Sequence, residues 1–437
     1  MLPLSKRQRR VIPPEYRRNF LHLYLDVAWF GVLNGTSIAF VAIFATRQGA
    51  TGFEVGLLNA APAIVALIIA LPAGRRLTGR PLGPIVFWAA VWHRLFYLPW
   101  ILLPWLLTPP QQVHSLIGLA FIMSAPGTIL AIGFNGLFAA AVPEAWRGYV
   151  VGRRNAILAF MSILVSLLCG VVLKRLPFIT GYQVVFGLGC LGAALSTLHL
   201  WFVRPAPEEQ PSTTLNQAAI NDWEQPGAWR LWADSRSGVG LRFLTYARRW
   251  KRFIPLEAVR GRFGLVVVLL FGFHASQFLA IPLFPLYVVN VLHLSDQFFS
   301  LGNGVFYAAL FIGSTQLARL TGHWGNQRAL ALGVICMSLY PLFLGLSHGP
   351  QLYLFTSIIG GIAWSIAGGA LGNYVLDQAP AANRPAYLAW HTLALYAAML
   401  LGSLAGPWLA HQVGLTTALF VAAGCRFLAG VALWRWG

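Results

Sequence analysis

The sequence predicts an all-α membrane protein whose twelve transmembrane helices form two pseudo-symmetric six-helix bundles. Three observations carry that prediction. Hydrophobic residues make up 57% of the 437 residues and charged residues only 10%, too little polar surface to cover a water-soluble domain. Apolar runs of about 20 residues or more, each long enough to cross ~30 Å of hydrocarbon at ~1.5 Å per residue, follow one another nearly from end to end. The one long polar stretch, residues 204–262, divides those runs six and six.

Spans 1 to 6 cover residues 19–46, 54–74, 82–107, 113–141, 150–173 and 180–203, and spans 7 to 12 cover 263–292, 298–318, 326–346, 351–378, 386–410 and 414–435. Residues 1–18 are basic and lead into span 1 without a small-residue cleavage site, so span 1 is expected to stay in the mature protein. Span 2 opens on Thr51 and Glu54, the spacing of a capping box. Between spans 6 and 7, PAPEEQPSTTLNQ has the composition of a flexible linker. Further along it, Leu241, Leu244, Ala247, Trp250 and Ile254 recur at helical spacing among basic residues. That stretch reads either as an interfacial helix on the inner leaflet or as a solvated basic linker. Spans 10 and 11 are rich in small residues (IGGIAWSIAGGALGN, LLGSLAGPWL) that allow close helix approach, and Pro407 offers a kink. Cys169, Cys190, Cys336 and Cys425 sit singly within spans, without disulfide or metal spacing, and read as small core residues.

A net charge of +19 raises the prospect of nucleic acid, and its placement argues against it. Of the 31 Lys and Arg, 26 fall on one face of the predicted topology and three, Arg47, Lys174 and Arg175, on the other, with Arg94 and Arg426 inside spans. This is positive-inside asymmetry, which predicts a multi-pass protein of the plasma membrane with both termini and the central loop cytoplasmic, its basic groups touching anionic lipid heads.

The halves also echo each other in sequence. Arg76-Leu77-Thr78-Gly79 recurs as Arg319-Leu320-Thr321-Gly322, Asn59 matches Asn303 early in spans 2 and 8, and Pro143 with Arg147 matches Pro380 with Arg384. The same order in both halves indicates an internal duplication. Six plus six spans, a basic turn between spans 2 and 3 of each half (GRRLTGR, RLTGHWGNQR) and a Pro-x-x-x-Arg loop after span 4 (VPEAWRG) resemble the major facilitator superfamily of secondary transporters, from about residue 19 to 435. The chain departs from that family's pattern where an Asp usually stands three residues before the turn's Gly: Arg76 and Arg319 stand there instead. The resemblance implies alternating access, the two halves rocking around a mid-membrane site lined by helices 1, 4, 7 and 10.

Intramembrane polar residues are then the candidates, because a charge within the bilayer costs several kcal/mol without a partner or water. Asp26 is the only carboxylate well inside a span, with Arg94 in span 3 and Arg153 and Arg154 opening span 5. Asp26 reads either as a proton-coupling acid or as a permanent ion pair with Arg94 or Arg154. Candidate cavity residues are Asn34 and Thr36 in span 1, Asn135 in span 4, Arg154 in span 5, His274 and Gln277 in span 7, Trp364, Asn373 and Tyr374 in span 10, and His391 in span 11, which matches Arg154 in the repeat. For any one Ser, Thr or Asn an interhelical hydrogen bond is the simpler role. Candidate gating residues are Arg76, Arg147, Arg319, Asp377 and Arg384, with Asp377 expected to bridge to Arg384 or across the halves.

The function so predicted is a secondary active transporter of a small, anionic or amphipathic solute, coupled to protons rather than sodium because no cluster of membrane carboxylates offers hard-cation ligands. A monomer without cofactor or metal is expected, meeting a small solute, protons and membrane lipids. A membrane-embedded lipid-modifying enzyme is the competing class, and it lacks a nucleophile, metal or acid–base constellation in this sequence. A receptor or scramblase on the same fold stays open.

Overall fold

The computed structural model describes residues 14–77, 80–205, 261–379 and 384–437. Among these, every regular element is a helix. The first half contains α1, built from Pro14–Leu33, a π-helical segment Asn34–Ile38 and Ala39–Arg47, then α2 (Gly52–Leu77), α3 (Leu82–Leu95 and Leu98–Leu106), α4 (Pro109–Ala141), α5 (Glu144–Arg175) and α6 (Phe178–Trp201). The second contains α7 (Arg262–Ala280 and Leu283–Asn290), α8 (Asp296–Ser314), α9 (Leu317–Gly345), α10 (Pro350–Gln378), α11 (Arg384–Val413) and α12 (Leu415–Trp436). The possible interfacial helix at 241–254 lies outside the described residues.

Eleven of the twelve are long and apolar enough to cross a membrane by length and composition alone. The exception is α8, whose first turns carry Asp296, Gln297, Ser300 and Asn303. Large apolar side chains such as Ile68, Trp105, Trp408 and Leu428 face outward, as they must where the surrounding solvent is hydrocarbon. Cys425 is exposed on that outer surface, so it is not the core residue its sequence setting suggested.

The packing obeys the repeat. In the first half α1 packs on α5 and α6, α2 on α4, and α3 on α4 and α6; in the second, α7 packs on α11 and α12, α8 on α10, and α9 on α10 and α12. Each partnership recurs with its numbers raised by six. The halves meet along α2 with α11 and α5 with α8, again a symmetry-related pair. Glycines make these contacts close: a Cβ on Gly406 of α11 would fall on the Leu279 carbonyl of α7, and one on Gly361 of α10 on the Phe306 carbonyl of α8.

Helix breaks have local causes. Pro282 has no N–H to give to Phe278, and α7 is interrupted there; α3 is interrupted just before Pro99. The capping box at α2 forms, Thr51 N–H donating to Glu54 Oε2 (2.7 Å) and Glu54 N–H to Thr51 Oγ (3.3 Å). The repeated RLTG tetrapeptide does not make a turn in its second copy. Arg319 to Gly322 is helical, Thr321 Oγ1 donating back to the Leu317 carbonyl, and the chain reverses three residues later at Gly325 (φ 77°, ψ 166°). Gly325 takes a left-handed conformation that a side chain would oppose. In the first copy Arg76 and Leu77 end α2, while Thr78 and Gly79 lie outside the described residues.

Candidate functional site

An even number of crossings puts both chain ends on one face, called here the terminal face; Arg47 and Asp296 lie on the far face. Within the first half, Asp26 of α1 is 3% exposed and sits at the centre of a charged cluster. Its Oδ2 accepts from Arg154 Nη2 of α5 at 2.9 Å, its Oδ1 accepts from Ser196 Oγ of α6 at 2.6 Å, and Arg94 Nη2 of α3 lies 3.9 Å from Oδ1. Arg94 donates to Thr197 Oγ1 (2.9 Å), and the Arg154 guanidinium stands over the Phe134 ring of α4, 4.7 Å from its centroid. One carboxylate thus joins four helices of the bundle, and both arginines proposed from sequence are its neighbours. Ser196 escaped notice, because a lone Ser five spans away carries no signal of its own.

Between the halves lies a cavity of about 310 Å³. Its walls are largely apolar and aromatic, including Tyr97 and Trp100 of α3, Phe278 and Phe284 of α7, Phe306 of α8 and Tyr340 of α9. Three of the cavity residues expected from sequence line it: His274, Gln277 and Trp364. The repeat pair Asn59 and Asn303 lines it too, one from each half. That pair was visible as a duplication and not as a site, although a repeated polar residue in two cavity-flanking spans was the available signal.

Contacts between the halves bracket the cavity. On the far face Arg47 Nε donates to Asp296 Oδ1 (3.1 Å), Arg47 Nη2 donates to the Leu294 carbonyl, and Asn303 Nδ2 donates to Ser166 Oγ (3.0 Å). Beside them Ser300 Oγ donates to the Ser166 carbonyl. Deeper toward the terminal face, Asn34 Nδ2 donates to Ser162 Oγ (3.0 Å) and to Tyr307 Oη (2.9 Å), linking α1 and α5 to α8. One apolar cluster there unites Val27, Leu158 and Ala159 with Val266, Val267 and Tyr307.

The architecture now has its counterparts. A model of the Major Facilitator Superfamily matches residues 27–350 and again 266–437. The chain belongs to the Major Facilitator Superfamily. Among solved structures of the superfamily, the inward-open xylose transporter XylE from E. coli is 15% identical, with a TM-score of 0.67 over 95% of each chain. A human organic anion transporter is 15% identical with a TM-score of 0.59, covering 97% of this chain and all of that one. In sequence, Multidrug resistance protein 2 of Bacillus subtilis (strain 168) is 25% identical over 153 residues, 35% of this chain and 38% of that protein. The chain is therefore a multi-pass membrane transporter and not an enzyme.

Against this superfamily frame the remaining sequence candidates fall in several places. Asn34, Thr36, Asn135, Arg154, Asn373, Tyr374 and His391 are not among the residues lining the cavity. Thr36 turns away from it: its Oγ1 donates to the Val32 carbonyl (2.7 Å), and with Ser37 it packs where a Cβ on Gly189 of α6 would sit. The π-helical segment produces this rotation, since an added residue per turn shifts the faces that follow. His391 is buried behind His274, their Nε2 atoms 3.4 Å apart, so one ring donates the proton and the other accepts it.

The expected gating residues are spread along the terminal face. Arg147 is buried and caps α4 in its own half, Nε donating to the Val142 carbonyl (3.0 Å) and Nη2 to that of Ala139 (2.8 Å). Arg76 and Arg319 are exposed, and Arg319 Nη1 donates to Gln316 Oε1 (3.2 Å). Asp377 Oδ2 accepts from Asn326 Nδ2 (2.7 Å), a partner beside Gly325 in the same half; the Arg384 side chain lies outside what the structure describes.

One residue that sequence reasoning counted only as a charge within a span proves central. Arg426 of α12 is 2% exposed, lines the cavity, and donates from Nη1 to the Met337 carbonyl (3.0 Å) and from Nη2 to those of Gln277 (3.2 Å) and Ser276 (3.5 Å). Pro341 cannot supply an N–H to Met337, so the arginine satisfies a carbonyl that the helix leaves open.

Proposed function

We propose that this transporter is secondary active, moving a small anionic or amphipathic solute by alternating access and driven by protons. Two six-helix bundles, residues 19–203 and 263–437, rock about the cavity; Arg47 with Asp296 closes the far face, and Arg76, Arg147, Arg319, Asp377 and Arg384 belong to the gate on the terminal face. The observation that carries the reading is a cavity between two pseudo-symmetric halves whose contacts lie to either side of it. A site bracketed in this way opens to one face when one set of contacts parts.

Asp26 is the coupling acid in this reading. It is the only carboxylate buried in a span among the described residues, and its donors sit on different helices, Arg154 on α5 and Ser196 on α6, so relative movement of those helices remakes its contacts. The lysine and arginine asymmetry supports a cytoplasmic terminal face; in this reading the protein spans the plasma membrane as a monomer among lipids.

Solute flux into proteoliposomes with and without an imposed pH gradient tests the proposal, and gradient-independent flux would remove proton coupling from it. Asp26→Asn is expected to abolish gradient-driven accumulation while sparing counterflow exchange, with Asp26→Glu restoring part of it. Concentration of solute by the Asn variant would reduce Asp26 to a structural ion pair. Labelling of single cysteines from either side reads the topology directly, and exposure of residues 204–262 to the outside would reverse it.

A further inference from the structure

The two halves treat a buried arginine differently. In the first, Arg94 bridges α3 and α6 with Asp26 of α1 beside it. In the second, Arg426 bridges α12, α9 and α7 at the corresponding interface, held by carbonyls alone. Among the side chains the structure describes, no carboxylate pairs with it: Asp26 faces Arg94 and Arg154, Glu54 faces Thr51 and His114, Asp296 faces Arg47, and Asp377 faces Asn326. Arg426 is also the only formally charged side chain among the described residues lining the cavity. A guanidinium keeps its charge at any physiological pH, and a buried charge without a counter-charge is costly.

Unpartnered polar atoms mark the same cavity. Arg426 Nε, Gln277 Oε1 and Trp100 Nε1 are buried without hydrogen-bond partners, and all three residues line it. Beside Arg426, Phe284 and Tyr340 form an edge-on aromatic pair with centroids 4.7 Å apart, and Trp364 adds a further aromatic wall. Buried polar atoms are normally satisfied, so three unsatisfied ones on residues that line one cavity leave hydrogen-bonding capacity beside it.

We infer that the cavity takes an amphipathic organic anion, its anionic group at Arg426 and its aromatic or apolar body against Phe284, Tyr340 and Trp364. The solute brings the counter-charge that the second half lacks, so its binding neutralises Arg426 where Asp26 neutralises Arg94. This inference rests on the cavity being the solute site, and it assigns recognition of charge to α12.

The test is binding of naphthoate, naphthamide and naphthylmethylamine to the purified full-length protein in detergent, followed by calorimetry or thermal shift. Naphthoate is expected to bind about ten- to hundred-fold more tightly than naphthamide, the advantage of a charge-assisted hydrogen bond, with the amine weakest. Arg426→Gln should erase the preference for the acid and Arg426→Lys keep part of it. Because Arg426 also holds carbonyls, Trp364→Leu serves as a second variant: it should weaken all three probes and preserve their order. Equal affinity for acid and amide in the unmodified protein, tighter binding of the amine, no naphthoate binding at millimolar concentration, or an unchanged acid preference in Arg426→Gln would overturn the inference. Naphthoate binding without any uptake, with or without a gradient, would leave it standing while counting against the transport proposal, so the two fail separately.

Discussion

At the scale of single residues, the decisive feature is how each buried charge is balanced. Asp26 is held by Arg154 and Ser196 and flanked by Arg94, so each of its carboxylate oxygens accepts from a different helix. Ser196→Ala removes one of those donors and is expected to lower stability by about 1.5–3 kcal/mol, as for a hydrogen bond to a charged group, read by thermal or denaturant unfolding in detergent. Unchanged stability would mean that Ser196 is incidental to the cluster. Arg147 donates to backbone carbonyls. Arg147→Ala leaves the Ala139 and Val142 carbonyls without their side-chain donor, at a cost of about 1–3 kcal/mol in the same assay.

At the scale of elements, helix rotation and helix approach decide what a residue can do. The π-helical segment of α1 sends Asn34 toward Ser162 and Tyr307 and Thr36 toward α6, while Ile38, Val41 and Ala42 further along reach the cavity. Close approach is set by glycines whose opposite neighbour is backbone and cannot yield. Gly406→Ala, whose methyl meets the Leu279 carbonyl, and Gly361→Ala, whose methyl meets that of Phe306, are each expected to destabilise by about 1–3 kcal/mol through overpacking. Gly118→Ala is the control, since its Cβ would meet nothing within 4 Å, and it should be neutral or slightly stabilising.

At the scale of the whole molecule, function depends on the seam. Gly52 and Pro407 face each other where α2 meets α11 near the far face, a Cβ on Gly52 lying 3.1 Å from that of Pro407. A Gly52→Cys, Pro407→Cys pair is therefore near disulfide distance, and oxidation should stop uptake and reduction restore it. Turnover that survives complete cross-linking would show that this end of the seam does not open. The Arg47–Asp296 pair lies on the same face, so Asp296→Asn should raise the rate at which a cysteine placed at Val41, on the cavity wall, reacts with an impermeant reagent added from the far side. No increase would free that ion pair of any latch role.

Much of this was legible in the sequence, and for a physical reason. A chain in hydrocarbon must satisfy its backbone within each crossing, so length and apolarity fix the number of helices, and a polar stretch between equal groups of them fixes the division into halves. The RLTG, Asn and Pro-x-x-x-Arg repeats followed from duplication and needed no coordinates. What the tertiary structure alone decided is which side of each helix faces what. Helices apolar all round carry no stripe to orient them, so nothing local told Thr36 from Gln277 or revealed that reversal waits for Gly325. The same holds for charge: Arg94 and Arg426 are alike in sequence setting, and only the packing of α1 and α3 on α6, and of α7 and α9 on α12, gave one a carboxylate and the other a cavity.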